Sequence, residues 1–154
     1  MAFVPRYLID TNVLLRIFRE DDPQHQLTRA ALDELGRRGI ETCFSLQNVA
    51  EFWNVCTRPL ERNGYGLSIS DTNHCIDRIE RTMTYLPDTE QVYWIWRRLV
   101  VVNNVRGVQV HDARLAAIMQ AYGLTHILTL NQADFLRYEN IQAVHPSQLQ
   151  AASR

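Results

Sequence analysis

The chain has 154 residues, a net charge of −1 and a hydrophobic fraction of 46%, as expected of one globular domain that buries roughly 70% of its unfolded surface. All 16 of its basic residues are arginines. The absence of lysine excludes the phosphate-binding loop of P-loop NTPases and Schiff-base chemistry, and the near-neutral charge excludes binding of nucleic acid through a bulk positive field.

Cysteine content and hydropathy predict the compartment. The three cysteines are an odd number without a Cys-x-x-Cys pair, which argues against a disulfide framework or a thiolate zinc site. No apolar run approaches the ~20 residues that span a bilayer, and residues 1–6 lack the pattern of a secretory signal. We therefore expect a reduced, cytoplasmic protein without a membrane segment.

The first third of the chain is organised around an apolar run that ends at an acid, Tyr7-Leu8-Ile9-Asp10. We predict a buried strand that places Asp10 at its carboxyl end, with Thr11 or Asn12 starting a short helix that reaches residue 19. The next predicted elements are a helix over residues 24–38, a strand within 40–45 and a helix over 46–57 that ends before Pro59.

The rest of the chain continues the alternation of helices and strands. We predict a helix capped by Ser70 or Asp71, a short strand over 84–86 and a helix that starts with a capping box of Asp88 and Gln91. A helix that begins at Asp112 precedes strands over 126–130 and 141–144. Because no tight hairpin turn joins the strands, we predict an α/β fold with a parallel sheet, formed by a domain over residues 1–146 with a polar tail over 147–154.

Three acids stand at notable places in this pattern, although each has an ordinary structural explanation. Asp10 suits a helix cap, Glu51 a solvated helix charge, and Asp112 the charge complement of a helix start. Their placement favours a site, because Asp10 and Asn131 directly follow predicted strands and Glu51 lies in the second turn of the helix after another strand. In open α/β sheets, ligands bind beyond the carboxyl ends of the strands.

Converging carboxylates would need a cation. Close carboxylates repel one another and raise their pKa values unless a positive charge neutralises them. Oxygen ligands suit Mg²⁺ or Mn²⁺, which is usually held by one or two carboxylates together with water and substrate phosphates. The sequence therefore predicts a phosphodiesterase-type metal centre formed by Asp10, Glu51, Asp112 and Asn131.

Four segments in this order resemble the PIN domain family, with VapC-type toxins of bacterial toxin–antitoxin pairs as the nearest likeness. They are Leu8-Ile9-Asp10-Thr11-Asn12, Val49-Ala50-Glu51-Phe52, the segment 111–117 from His111 to Ala117, and the segment 127–135 from Ile127 to Phe135. The resemblance spans residues 7–146. It implies a three-layer α/β/α fold, a Mg²⁺- or Mn²⁺-dependent endoribonuclease, a homodimer and a partner antitoxin that blocks the cleft.

The resemblance also implies roles for individual residues. Asp10 and Asp112 would be metal ligands, Glu51 would complete the acidic cluster, and Asn12 would orient Asp10 or a bound phosphate. Asn131 stands where many family members have an aspartate, so the metal site has one negative charge fewer. Asp134 either supplies the missing carboxylate or caps the loop before Phe135.

The predicted reaction is hydrolysis by a metal-activated water, with Glu51 or an acid acting through water as the proton acceptor. The candidates for holding phosphates are arginines that lie near the acids in sequence: Arg16, Arg19, Arg58 and Arg114.

Other functions are compatible with parts of this pattern. A PIN scaffold that binds RNA or protein without cutting is one alternative, suggested by Asn131. Receiver-type signalling domains require a lysine, which this chain lacks. Phosphatases of the haloacid dehalogenase type require an aspartate at the position of Asn12.

Overall fold

A computed structural model describes residues 5–150 of the chain. These residues form a five-stranded sheet with helices on both faces. The strands are β1 (Arg6–Ile9), β2 (Glu41–Ser45), β3 (Thr84–Leu86), β4 (His126–Leu128) and β5 (Gln142–Val144). The α-helices are α1 (Thr11–Ile17), α2 (His25–Arg37), α3 (Leu46–Thr57), α4 (Ile69–Thr82), α5 (Glu90–Val102) and α6 (Val110–Tyr122). The predicted three-layer α/β/α fold is confirmed.

Strand order places the amino-terminal strand at the centre of the sheet. The order is β3-β2-β1-β4-β5, and every neighbouring pair is parallel. Ile9 of β1 lies beside Leu128 of β4, and Leu8 lies beside Cys43 of β2. Because all five strands run the same way, the residues that follow β1, β2 and β4 meet at one edge of the sheet.

The hydrophobic core is divided between the two faces of the sheet. Leu8 and Ile127 pack in the layer of α5 and α6, whereas Ile9 and Leu128 pack in the layer of α1 to α4, and all four side chains are fully buried. Side chains alternate between faces along a strand, so a strand covered on both sides is apolar throughout. Burial of each such side chain stabilises the fold by roughly 1.5–3 kcal/mol, and this fixes the position of Asp10 immediately after β1.

Two predicted helix starts are corrected by the structure. Helix α4 begins at Ile69 because the Ser68 side chain accepts the Asp71 N–H at 3.0 Å, so the predicted cap at Ser70 or Asp71 is wrong. Helix α5 begins at Glu90 without a side-chain cap, and the predicted capping box of Asp88 and Gln91 does not form. Asp88 instead accepts a hydrogen bond from Arg114 of α6.

The last third also differs from the prediction in its bounds. Helix α6 begins at Val110, so Asp112 lies in its first turn, and Gly123 ends the helix in a left-handed conformation with φ of 72°. Strand β4 ends at Leu128 rather than at residue 130. The next residue, Thr129, is fully buried and its hydroxyl bonds Asp10, so the chain leaves the sheet where the polar edge begins.

The described chain ends on the α2 layer. A 3₁₀ helix, Pro146–Leu149, packs against α2 with Leu149 only 3% exposed. The structure therefore describes the predicted polar tail only as far as residue 150. It describes the amino terminus, where no secretory signal is predicted, only from residue 5. None of the helices within residues 5–150 is both long and apolar enough to cross a membrane. Cys43, Cys56 and Cys75 are free thiols.

Candidate active site

Asp10 is held at the carboxyl edge of β1 by three short polar contacts. Its Oδ1 accepts the Thr11 N–H at 2.7 Å, which caps helix α1. Its Oδ2 accepts the Thr129 hydroxyl at 2.8 Å and lies 3.4 Å from Asn12 Nδ2. The carboxyl group is only 8% exposed. Asp10 therefore caps helix α1 through one oxygen, and Thr129 holds the other oxygen at the edge of the sheet.

Glu51 reaches the same edge from α3. That helix starts at Leu46, directly after β2, with a capping box in which Ser45 and Asn48 bond each other. One turn later, Glu51 Oε2 accepts the Thr11 hydroxyl at 2.9 Å, and Oε1 accepts Gln47 Nε2 at 2.9 Å. Glu51 is thus fixed to the residue that follows Asp10.

Gln47 connects the two elements that carry the other acids. Its Nε2 donates to Glu51 and also to the backbone carbonyl of His111, in both cases at 2.9 Å. His111 is the neighbour of Asp112 in the first turn of α6. Through this contact α3 and α6 hold a constant spacing, and Asp112 faces Glu51 across the edge of the sheet.

A cleft of about 340 Å³ collects these residues. Its walls come from α1, α3, α6 and the loop after β4. The lining residues are Asp10, Thr11, Asn12, Leu15, Glu51, Asn54, Val55, Asp112, Asn131 and Asp134. The structure therefore brings together five of the six residues that the sequence singled out, together with Asp134.

The electrostatics of Asp10 reflect burial among acids. The pKa of Asp10 is raised to about 6, chiefly because the carboxyl group is buried. The negative charges of Glu51 and Asp134 act in the same direction, whereas the hydrogen bonds from Thr129 and Thr11 oppose the rise. Ionisation of this carboxyl group is thus less favourable in the folded protein than in water.

Asp112 is in a similar situation on the opposite wall. Its pKa is also raised to about 6, first by burial and then by the charges of Asp134, Asp10 and Glu51, with Arg137 opposing. The mutual repulsion shows that the acids of the cleft interact with one another. Asp134 lines the same cleft, and its role as a fourth carboxylate stays a prediction.

The donor set suits a hard divalent cation held partly by water. Within residues 5–150, no three His, Cys, Asp or Glu side chains lie close enough together to form a ready-made metal cage. Mg²⁺ usually keeps several waters and takes only one or two carboxylates from the protein. The buried Asp10 and the partly buried Asp112, both with raised pKa values and surrounded by carboxylate and amide oxygens, fit that mode of binding.

Comparison with known proteins identifies the family. The family model described as "PIN domain" matches residues 7–141. This chain belongs to the PIN domain family. A search of curated proteins found no significant match.

Solved structures with the same fold include bacterial toxin–antitoxin proteins. DNA-bound VapBC from Salmonella typhimurium matches with a TM-score of 0.67 and 14% identity, over 93% of this chain and 99% of that chain. FitAcB from Neisseria gonorrhoeae matches with a TM-score of 0.62 and 19% identity, over 91% and 97%. VapC20 from Mycobacterium tuberculosis, a sarcin–ricin loop cleaving toxin, matches with a TM-score of 0.59 and 16% identity, over 79% and 86%. At these identities the likeness shows the PIN fold alone.

The two predicted asparagines occupy different positions in the PIN domain cleft. Asn12 spans β1 and the loop after β4, because its Nδ2 lies 3.4 Å from Asp10 Oδ2 and its Oδ1 accepts the Leu130 N–H at 3.2 Å. Asn131 lines the cleft with an exposed side chain, and its backbone N–H bonds the Thr129 hydroxyl at 3.0 Å. Asn12 therefore orients the acid, and Asn131 leaves its amide facing the cleft opening.

Arg114 is the predicted site residue that the PIN domain does not bring to the cleft. Its Nη2 donates to Asp88 at 2.6 Å, and it lines a separate cavity with Tyr93 and Trp96 of α5. Arg114 follows Asp112 by two positions, and residues two apart on a helix point in different directions. The positive charge near Asp112 comes from Arg137 instead.

Sequence analysis missed Thr129 as a site residue. Its hydroxyl donates to Asp10, and its oxygen also accepts the Asn131 N–H. The prediction placed Thr129 inside a buried strand, where threonine is common. A signal emerges only once β1 and β4 are known to be neighbours, because the two residues are 119 positions apart.

A Thr129→Val substitution tests how the hydroxyl supports Asp10. We expect the pKa of Asp10 to rise above about 6, since the bond that stabilises the carboxylate is lost. The protein should also lose on the order of 1 kcal/mol of stability. Carboxyl carbon NMR titration of metal-free protein measures the pKa. Thr125→Val, an exposed site just before β4, is the matched control, and an unchanged or lowered Asp10 pKa would contradict this role.

Proposed function

We propose that this PIN domain is a Mg²⁺- or Mn²⁺-dependent endoribonuclease and the toxin of a type II toxin–antitoxin pair. The proposal rests on one observation above all: Asp10, Glu51, Asp112 and Asp134 line a single cleft at the carboxyl edge of the sheet. Four acids are an unfavourable lining for a polyanion such as RNA. They become favourable when a divalent cation accompanies the phosphate.

Asp10 and Asp112 would hold the cation, because its positive charge would offset the burial and the repulsion between acids that raise their pKa values. When bound, the cation polarises the scissile phosphodiester and lowers the pKa of a coordinated water. Asn12 keeps Asp10 oriented, and Asn131 offers its amide to a substrate phosphate.

Glu51 would accept the proton of the attacking water. The Thr11 hydroxyl and Gln47 amide hold its two oxygens, which orients the carboxylate without neutralising it. Attack of this water on phosphorus breaks the bond to the 3′ oxygen of the preceding nucleotide, and that oxygen leaves with a proton. The products are a 3′-hydroxyl and a 5′-phosphate, because water rather than the ribose 2′-hydroxyl is the nucleophile.

RNA is the proposed substrate because a chain with the same fold, VapC20, is a sarcin–ricin loop cleaving toxin. The proposed partners are a second copy of this chain and a cognate antitoxin. The antitoxin is proposed because a solved structure with this fold is a toxin–antitoxin complex from Klebsiella pneumoniae. Light scattering on the purified chain tests for the homodimer, and a monomer mass at micromolar concentration would rule it out.

The deciding experiment is incubation of the full-length protein with a panel of structured RNAs, with and without Mn²⁺. We expect metal-dependent cleavage by the wild type and none by Asp112→Asn. Asp33→Asn makes the same charge change on α2, at the far edge of the sheet, and should cleave as the wild type does. Cleavage that survives chelation, or full activity of Asp112→Asn, would overturn the mechanism. Binding of RNA without cleavage would favour the inactive scaffold.

A further inference from the structure

Three arginines gather at one end of the acidic cleft. Arg16 and Arg19 lie on or just after α1, and Arg58 ends α3. The Arg19 guanidinium lies over the ring of Tyr65, which belongs to the loop between α3 and α4, and the backbone of this loop bonds the Arg58 carbonyl. We call Arg16, Arg19, Arg58 and Tyr65 the arginine cluster.

Tyr65 is fixed in place by the backbone of α3. Its N–H donates to the Val55 carbonyl at 2.9 Å, and the following Gly66 N–H donates to the Arg58 carbonyl at 2.9 Å. A Cβ on Gly64 would lie 1.9 Å from the Arg58 carbonyl oxygen, so only glycine permits this close approach. The loop therefore holds Tyr65 and Arg58 together as a rigid unit.

The arginines of α1 complete the cluster from the other side. The Arg19 guanidinium lies 4.1 Å from the centroid of the Tyr65 ring. Burial raises the pKa of the Tyr65 hydroxyl, the charges of Arg16 and Arg19 lower it, and the charge of Asp22 raises it. The cluster thus joins α1 to the end of α3.

Two of these guanidinium groups keep unused hydrogen-bonding capacity. Arg16 Nη1 donates to the Asn12 carbonyl at 3.1 Å, and Arg58 Nη2 donates to the Asn63 carbonyl at 3.1 Å. The Nε atoms of both are buried and find no hydrogen-bond partner within residues 5–150, so a phosphate would be bound through the Nη atoms. The carboxylate nearest to Arg16 is Asp22, whose Oδ2 lies 3.7 Å from Nε, too far for a hydrogen bond.

The arginine cluster is continuous with the cleft. Asn12, Leu15 and Val55 line the cleft. Arg16 follows Leu15 and bonds the Asn12 carbonyl, and Tyr65 bonds the Val55 carbonyl. A strand that places one phosphate at Asp10 would therefore bring a neighbouring phosphate to the arginines.

We propose that Arg16 and Arg58 bind the RNA phosphate that adjoins the scissile one, with Tyr65 and Arg19 holding them in position. This inference rests on the proposed function of the acidic cleft. Arginine suits the task because its planar fork binds phosphate oxygens in pairs. The two charges also explain how a strand is oriented in a cleft whose own lining repels it. A protein segment rich in carboxylates would also pair with these arginines. No feature of the structure, however, would align such a segment with the acids of the cleft.

The test measures binding of a fluorescein-labelled single-stranded RNA of about twelve nucleotides to full-length Asp112→Asn protein, by anisotropy over a range of salt concentrations. Adding Arg16→Gln and Arg58→Gln together should weaken binding about tenfold or more. The slope of log K against log salt should also fall by about 0.7, the contribution of one phosphate contact on a single strand.

Two further variants separate phosphate binding from a structural role. Arg58→Lys keeps the positive charge, so this variant should retain most of the salt slope that the glutamine variants lose. It should bind RNA less tightly than the parent protein, because lysine lacks the planar fork of arginine. Arg81→Gln removes an exposed arginine near the end of α4, at the opposite edge of the sheet, and should bind RNA as the parent does. Unchanged affinity and slope in the double variant would overturn the proposal and favour a protein segment as the occupant.

Cleavage by the otherwise wild-type protein distinguishes this inference from the function on which it rests. With Mn²⁺, the double variant should raise KM about tenfold and leave kcat nearly unchanged, because the arginines do not touch the reacting atoms. If the wild type cleaves no RNA but binding still depends on the arginines, the nuclease proposal fails and the phosphate site stands. If the wild type cleaves and neither KM nor binding responds to the arginines, only the phosphate site fails.

Discussion

Replacing Asp10 by asparagine should abolish RNA cleavage and at the same time stabilise the metal-free protein above pH 6. Asp10 is 8% exposed, and its pKa is raised from 3.8 to about 6. Holding the charged form at pH 7.5 therefore costs the folded state up to roughly 3 kcal/mol. Asparagine removes the charge but keeps an oxygen that accepts the Thr11 N–H. We expect a gain of roughly 1–3 kcal/mol in the free energy of unfolding and a loss of about a thousandfold or more in rate.

Urea unfolding at pH 7.5 with EDTA measures the stability, and single-turnover cleavage with Mn²⁺ measures the rate. Asp33→Asn should change neither quantity by much, because Asp33 is exposed on α2. Opposite effects on stability and rate are typical of a residue whose environment serves function rather than folding. An Asp10→Asn protein that is less stable than the wild type, or equally active, would show that the aspartate is only a helix cap.

The second large effect is a pH-dependent stability that divalent cations reverse. The pKa values of Asp10 and Asp112 are both raised to about 6 from 3.8. Between those values the folded chain holds more protons than the unfolded chain, so the free energy of unfolding falls as pH rises through this window. The contribution of Asp112 is smaller than that of Asp10, because it is less buried and solvent screens its charge.

Mg²⁺ should restore the stability lost at high pH. A cation that binds only the folded state at a hundred times its Kd adds about 2.7 kcal/mol. The gain should be full near pH 7.5 and vanish below pH 5, where protons compete for the same carboxyl groups. The charged groups around them act as fixed neighbours: Glu51 and Asp134 raise the two pKa values, and Arg137 lowers that of Asp112.

Thermal melts from pH 4 to pH 8, with Mg²⁺ and with EDTA, test this behaviour. Asp10→Asn should flatten the pH profile in EDTA and remove most of the response to Mg²⁺. The cleft is not a cation site if stability rises between pH 4 and pH 6 in EDTA, or if Mg²⁺ leaves the melting temperature at pH 7.5 unchanged.

Local sequence signals predicted most of the secondary structure, and each error has a physical cause. Helix α3 was predicted with the bounds that the structure shows, because its apolar residues have helical spacing and Pro59 follows its end. The start of α4 was misplaced because several capping residues stand in a row, and only Ser68 has the geometry to bond the Asp71 N–H. Asp88 and Gln91 have the spacing of a capping box, but Asp88 instead accepts a hydrogen bond from Arg114 of α6.

The sequence by itself determined the α/β class and the acids at the ends of elements, because hydrophobic periodicity and strand-end polarity are properties of neighbouring residues. Only the tertiary structure decided which of these residues meet. Strand order makes Thr129 the partner of Asp10 across 119 positions, and helix packing turns Arg114 away from the cleft and towards Asp88. Such contacts join segments far apart in the chain, and the local pattern does not record which segments become neighbours.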